Sequence, residues 1–142
     1  MIVPVHGSVL DGTDWAALHT AVDKHWLTAG LYTHEFEKAL CERFNRRHAL
    51  MVNSGSSANL LAITALELPK GSEVITAACS FPTTVNPIVQ CGLVPVFVDC
   101  ELGTWNIDTN QLEAALSDKT RAVMICHTLG NPVNMESVWA FC

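Results

Sequence analysis

The chain has 142 residues, of which 49% are apolar and 15% charged, with a formal net charge of -6. That composition suits about one domain with a sizeable core and excludes a disordered chain. No run approaches the ~20 apolar residues of a membrane span. The basic stretch Arg43 to His48 reads as a solvated helix end, so nucleic acid is set aside.

Residues 1–12 carry neither a basic region nor a long apolar run, so no targeting signal is expected and the location is read as cytoplasmic. Residues 13–26 read as a helix capped by Thr13, with Trp15, Leu18, Val22 and Trp26 recurring at helical spacing. Gly30 breaks it. A second helix follows, with Phe36, Leu40 and Phe44 on one face.

The pattern then changes to alternating strands and helices. "HALMV" (48–52) is a short apolar run, followed by the serine-rich loop "NSGSS" and a helical stretch through residue 68. "EVITAA" and "VPVFVD" read as strands around a short helix, in which Pro87 is tolerated only near the start. Asp108 and Gln111 resemble a capping box, with Ile107 and Leu112 placed for a hydrophobic staple. "RAVMICH" is the last strand, and "MESVWAFC" opens a helix. Apolar strands without polar alternation imply a mainly parallel sheet buried on both faces, an α/β fold. Such a sheet stopping at Cys142 is expected to belong to a longer protein. Six cysteines lack any C-x-x-C pair and read as buried reduced thiols, so no metal site is expected.

In a parallel sheet, ligands bind beyond the carboxyl ends of strands. "NSGSS", "CSFPTT" and "HTLGNP" should therefore open on one edge. At the first, Gly55 lets the backbone approach an anion, while Ser56 and Ser57 offer N–H and O–H donors at a helix start. The same residues also suit a serine-capped helix with no ligand. Phe81 suits either a flat ligand ring or an ordinary core. His127 reads as a structural histidine or a base, and Asp99 as a group bonding a loop backbone.

Taken together, "NSGSSANLLA" (53–62), "SFPTTVNPIVQ" (80–90) and "HTLGNP" (127–132) resemble the DegT/DnrJ-type sugar aminotransferase family. So do "HWLTAG", "EFEKAL", "GSEVIT", "LVPVFVDCELGTWNID" and "QLEAALSDKTRAVM". These are pyridoxal-phosphate enzymes of fold type I, and the resemblance is nearest to the branch of 4-keto-6-deoxy-hexose 3-dehydrases, including CDP-sugar enzymes of lipopolysaccharide synthesis. It implies a three-layer αβα architecture, the N-terminal part of the large domain of such an enzyme. In that frame residues 1–142 form one partial domain, with N-terminal helices in 1–46 and a cofactor-binding portion in 47–142.

The resemblance further implies that Gly55, Ser56 and Ser57 hold the cofactor phosphate, that Phe81 lies against its ring, and that Asn131 sits near its pocket. Trp26, Thr28 and Gly30 would face a nucleotide-sugar substrate, often across a homodimer interface. The reaction would use the pyridoxamine form of pyridoxal 5'-phosphate: it condenses with the 4-keto group, a histidine removes a proton, and the C3 hydroxyl leaves. In the aminotransferase alternative a lysine takes the histidine's place. That position lies downstream in the family, so no catalytic residue is assigned here. Some members add a [2Fe-2S] cluster and an electron-donating reductase. The short loop from Leu68 to Gly71 favours the aminotransferase. A chain that binds only a partner chain, or nothing, is the remaining alternative.

Overall fold

The computed structural model describes residues 7–142, so the expectation for residues 1–6 lies outside the described residues. The chain divides into two compact units between Met51 and Val52.

The first unit holds α1 (Gly12–Asp23) and α2 (Leu31–Phe44). Asp11, not Thr13, caps α1. Its Oδ1 accepts the Thr13 N–H at 2.7 Å, and Asp14 Oδ2 accepts the Asp11 N–H at 2.9 Å, a reciprocal capping box. A carboxylate accepts two amides where a hydroxyl would accept one, and the Thr13 hydroxyl itself donates to Asp11. The helix stops at Asp23 rather than Trp26, because His25 takes a left-handed backbone conformation at φ 55°. No residue of either helix is buried, so the expected apolar faces exist as patterns but are not packed over.

"HALMV" does not form a strand. The Met51 N–H that a ladder would use is accepted instead by Glu37 Oε1, at 2.9 Å from α2.

The second unit holds α3 (Gly55–Ala65), β1 (Glu73–Ala77), α4 (Pro82–Gln90), β2 (Val94–Val98), α5 (Leu112–Ala115), β3 (Thr120–Met124) and α6 (Met135–Phe141). The sheet is parallel, in the order β2-β1-β3. Strand β1 is central, and its alternate residues feed two cores. Val74 packs with Ile63 of α3 and Ile88 of α4. Ile75 and Ala77 pack with Leu112 of α5 and Val138 of α6. Helices thus cover both faces, which is the three-layer αβα arrangement. Burial on both faces holds for β1 but not for the outer strands, where Val94 and Phe97 are exposed.

Three local readings are corrected. Asp108 does cap a helical turn, accepting from the Asn110 N–H. Gln111 donates to the Asp108 carboxylate instead of accepting its N–H, because that N–H bonds the Asp99 carbonyl, so the box is not reciprocal. The α-helical part is only Leu112–Ala115, although Ile107 and Leu112 do share one core. The six cysteines are free thiols, but none is buried, since all sit at element ends or on helix faces. Pro87 lies deep inside α4 rather than near its start, for a reason given below.

Two outcomes follow from this packing. Thr76 is fully buried on β1 and its hydroxyl has no partner among the described residues. Replacing it with Val keeps the branched shape and removes an unsatisfied polar group. Thr76→Val is expected to raise the unfolding free energy by about 1 kcal/mol in chemical denaturation. The Met51 N–H, then His34, holds the Glu37 carboxyl below its ordinary range. A depressed carboxylate contributes stability above its unfolded value and loses it as pH falls through the folded one. The protection factor of the Met51 amide should therefore drop on acidification below the usual carboxylate range. In Glu37→Gln it should stay flat.

Candidate functional site

The serine-rich loop becomes the first turn of α3. Ser54, which the sequence reading passed over, is the N-cap: its Oγ accepts the Ser57 N–H at 3.2 Å. The Ser57 hydroxyl donates to Asn53 Oδ1 at 2.6 Å. Ser57 is therefore committed within the loop, as a serine-capped helix requires. The N–H groups of Gly55 and Ser56 have no acceptor among the described residues, and they stand at the positive end of the α3 dipole. Gly55 is not there for its backbone angles, because its φ is negative. A Cβ on it would meet nothing within 4 Å. The backbone is thus uncovered on its Cβ side, which leaves room for a ligand to approach it.

Ser56 and Ser57 line a cavity of about 170 Å³ whose opposite wall is α4, through Thr83, Asn86, Pro87 and Gln90. That is several times the ~30 Å³ share of one water, enough for a tetrahedral oxyanion. No lining side chain is cationic. Anion binding here would rest on neutral donors and the helix terminus. A phosphate fits that donor set.

Phe81 is the N-cap of α4, just past the carboxyl end of β1, and is 71% exposed, so it is not a core residue. The ends of β1 and β3 do meet at the sheet edge, where Ser80 Oγ of "CSFPTT" lies 3.5 Å from Sγ of Cys126, the residue just before "HTLGNP". Asn131 does not line the α3–α4 cavity; its side chain reaches the Thr104 carbonyl at 3.4 Å. Its loop is held by Asn106, a buried residue that the sequence reading missed. Asn106 Nδ2 donates to the carbonyls of Asn131 and Pro132, and Oδ1 accepts the Thr128 N–H. The only available signal was an amide inside "TWNID". His127 Nδ1 accepts the Val133 N–H at 3.0 Å, which fixes that nitrogen unprotonated and makes the ring a structural brace. Asp99 bonds its loop backbone through the Cys100 N–H at 2.8 Å.

In the first unit, Trp26, Thr28 and Gly30 line one cleft of about 370 Å³ with Lys24, Leu31 and Tyr32. The Lys24 ammonium stands 4.7 Å from the Tyr32 ring centroid. Trp26 donates from Nε1 to the Ala29 carbonyl at 2.9 Å, which lays the indole across Gly30. A Cβ on Gly30 would collide with Nε1 and fall 2.7 Å from Cδ1.

Residues 9–142 match the model of the DegT/DnrJ/EryC1/StrS aminotransferase family. The chain belongs to this family. Among curated relatives, this DegT/DnrJ chain is 48% identical over 145 residues to the lipopolysaccharide biosynthesis protein RfbH of Salmonella typhimurium, covering 96% of the chain and 33% of that protein. It is 49% identical over 140 residues to a dTDP-4-dehydro-2,6-dideoxy-D-glucose 3-dehydratase of Saccharopolyspora spinosa, covering 93% and 30%. The chain spans about a third of the length of these relatives. A solved structure of the E. coli GDP-4-keto-6-deoxy-D-mannose-3-dehydratase with bound hydrated PLP superposes with a TM-score of 0.89 at 37% identity, covering 97% of this chain and 37% of that one. The architecture is therefore that of fold type I. None of the described helices is long and apolar enough to cross a membrane.

Gly30→Ala is expected to expel the Trp26 indole from its seat. Its tryptophan emission should shift to the red. The same substitution in a Trp26→Phe background should leave emission unchanged.

Proposed function

We propose that this chain provides the phosphate anchor and a substrate-facing cleft of a pyridoxal-phosphate-dependent enzyme that removes the C3 hydroxyl from a nucleotide-linked 4-keto-6-deoxy sugar, in lipopolysaccharide or deoxysugar synthesis. The observation that carries this reading is the cavity lined by Ser56 and Ser57 in the first turn of α3, a turn whose Gly55 and Ser56 N–H groups have no acceptor among the described residues. It occurs in a chain 48% and 49% identical to a lipopolysaccharide biosynthesis protein and a sugar 3-dehydratase.

In this reading Gly55 and Ser56 present N–H donors to the cofactor phosphate, and Ser56 adds its hydroxyl. Ser57 contributes mainly by holding the turn, since its own donors are engaged by Ser54 and Asn53. Phe81 offers an exposed ring beside the cofactor, and Asn131 borders its pocket. Trp26, Thr28 and Gly30 face the nucleotide sugar. When bound, the cofactor supplies an electron sink for proton removal next to the substrate's carbonyl carbon. The lining of the cavity is neutral, so its residues are assigned binding and orientation, and no base is assigned among them. The same reading takes the working enzyme as a cytoplasmic homodimer, with a reductase partner where an iron–sulfur cluster is present.

The test is phosphate-dependent binding of pyridoxamine 5'-phosphate, followed by its fluorescence. Unlike the aldehyde form, it does not react with surface lysines. Two hydrogen bonds to a charged group correspond to a preference of roughly 100-fold or more over pyridoxamine. Equal affinities would overturn the phosphate role. Gly55→Ala should fold normally, because its Cβ meets open space, yet bind pyridoxamine phosphate about tenfold more weakly. With CDP-, dTDP- or GDP-linked 4-keto-6-deoxy sugars, the product should be the substrate less one oxygen atom, the C3 hydroxyl having given way to hydrogen, with the two electrons supplied by the pyridoxamine form of the cofactor or by a reductase. An amino group in place of the keto oxygen would establish amino transfer instead.

A further inference from the structure

Pro87 is the sixth residue of the nine-residue helix α4, and its ring is fully buried. A proline has no N–H, so the carbonyl four residues earlier, that of Thr83, loses its helical partner. The structure supplies a replacement from a different helix. Asn59, in the second turn of α3, donates from Nδ2 to the Thr83 carbonyl at 3.1 Å. Thr83 and Ser56 stand on opposite walls of the cavity at the start of α3. Phe81 caps α4 two residues before Thr83.

We infer that Asn59 is a positioning residue that sets the width of the phosphate cavity by tying the first turn of α4 to α3 through the carbonyl that Pro87 leaves free. The inference rests on the phosphate reading above. This bond joins the two walls at the first turn of α4, whereas the other side-chain contact of this kind, Thr64 Oγ1 to Cys91 Sγ at 3.5 Å, lies at the far end of both helices. Ile63 of α3 and Ile88 of α4 share one apolar cluster, and apolar packing of this kind resists separation but is tolerant of sliding. A directional bond fixes the offset that apolar packing leaves free. Pro87 leaves Asn59 as the donor to the Thr83 carbonyl; an N–H at position 87 would fill one lone pair of that oxygen and leave the other for Asn59.

The alternative is that Asn59 only satisfies a stray carbonyl. The two separate in a double-mutant cycle of Asn59→Ala and Pro87→Ala, with pyridoxamine phosphate affinity and denaturation midpoint both measured. An alanine at position 87 gives the Thr83 carbonyl an N–H of its own. If Asn59 positions the walls, N59A weakens pyridoxamine phosphate binding about tenfold, the size of one lost hydrogen bond, with or without P87A. Stability should fall only where Pro87 is retained. If Asn59 merely satisfies the carbonyl, the affinity loss disappears in the P87A background, and the inference fails. Should N59A alone not fold, P87A against N59A/P87A decides the matter, since both have a satisfied carbonyl. A parent protein with no preference for pyridoxamine phosphate over pyridoxamine overturns the phosphate reading and this inference together. A parent that shows the preference, with N59A unchanged, overturns this inference alone.

Discussion

Five residues, Glu73 to Ala77, carry hydrogen-bond ladders on both edges and apolar packing on both faces. The organisation of the second unit follows from that double burial. A strand in this position has no solvent face, so even and odd residues must each find a helical layer. Val74 finds α3 and α4, while Ile75 finds α5 and α6. Once α3 and α4 are pressed on the same face, the turn that starts α3 and the turn that starts α4 come to border one small cavity. The candidate phosphate site is thus a consequence of where β1 sends its side chains.

The cavity is also an example of polar detail laid over apolar packing. The open amides of the α3 turn beside it exist because every helix starts with donors that its own carbonyls cannot reach. Its shape depends on a proline in a position where proline is ordinarily costly, answered by an asparagine from a neighbour. The "HTLGNP" loop follows a similar rule. One buried amide, Asn106, takes up two carbonyls and one N–H that the loop could not satisfy alone.

The first unit is built differently. It has caps, a left-handed turn at His25 and a cleft framed by Trp26 and Tyr32, but no buried helical residue. Its order comes from local hydrogen bonds such as the Asp11 box and the Glu37–Met51 bond, and from the close seat of Trp26 on Gly30. These are short-range devices, and they hold a loop geometry that a hydrophobic stripe alone would leave undefined.

Much of this was legible in the residues. The alternation of apolar strands and helices, the turn at Gly71, the starts of β1, β2 and α6, and the small-residue loop at residues 53–57 all follow from local patterns, because periodicity and turn chemistry act within a few residues. Family membership was legible for the same reason, being carried by short motifs. The sequence did not show that "HALMV" would give its amide to Glu37 instead of a strand, that β2 and β3 would flank β1, or that Pro87 would sit inside a helix. Each depends on a partner 14 or more residues away: Glu37 for Met51, the two outer strands for β1, and Asn59 for the Thr83 carbonyl. The sequence by itself determined which segments fold locally and which chemistry they carry. Tertiary structure alone decided which carbonyls, amides and walls face one another, because those pairings are made in space and leave no period along the chain.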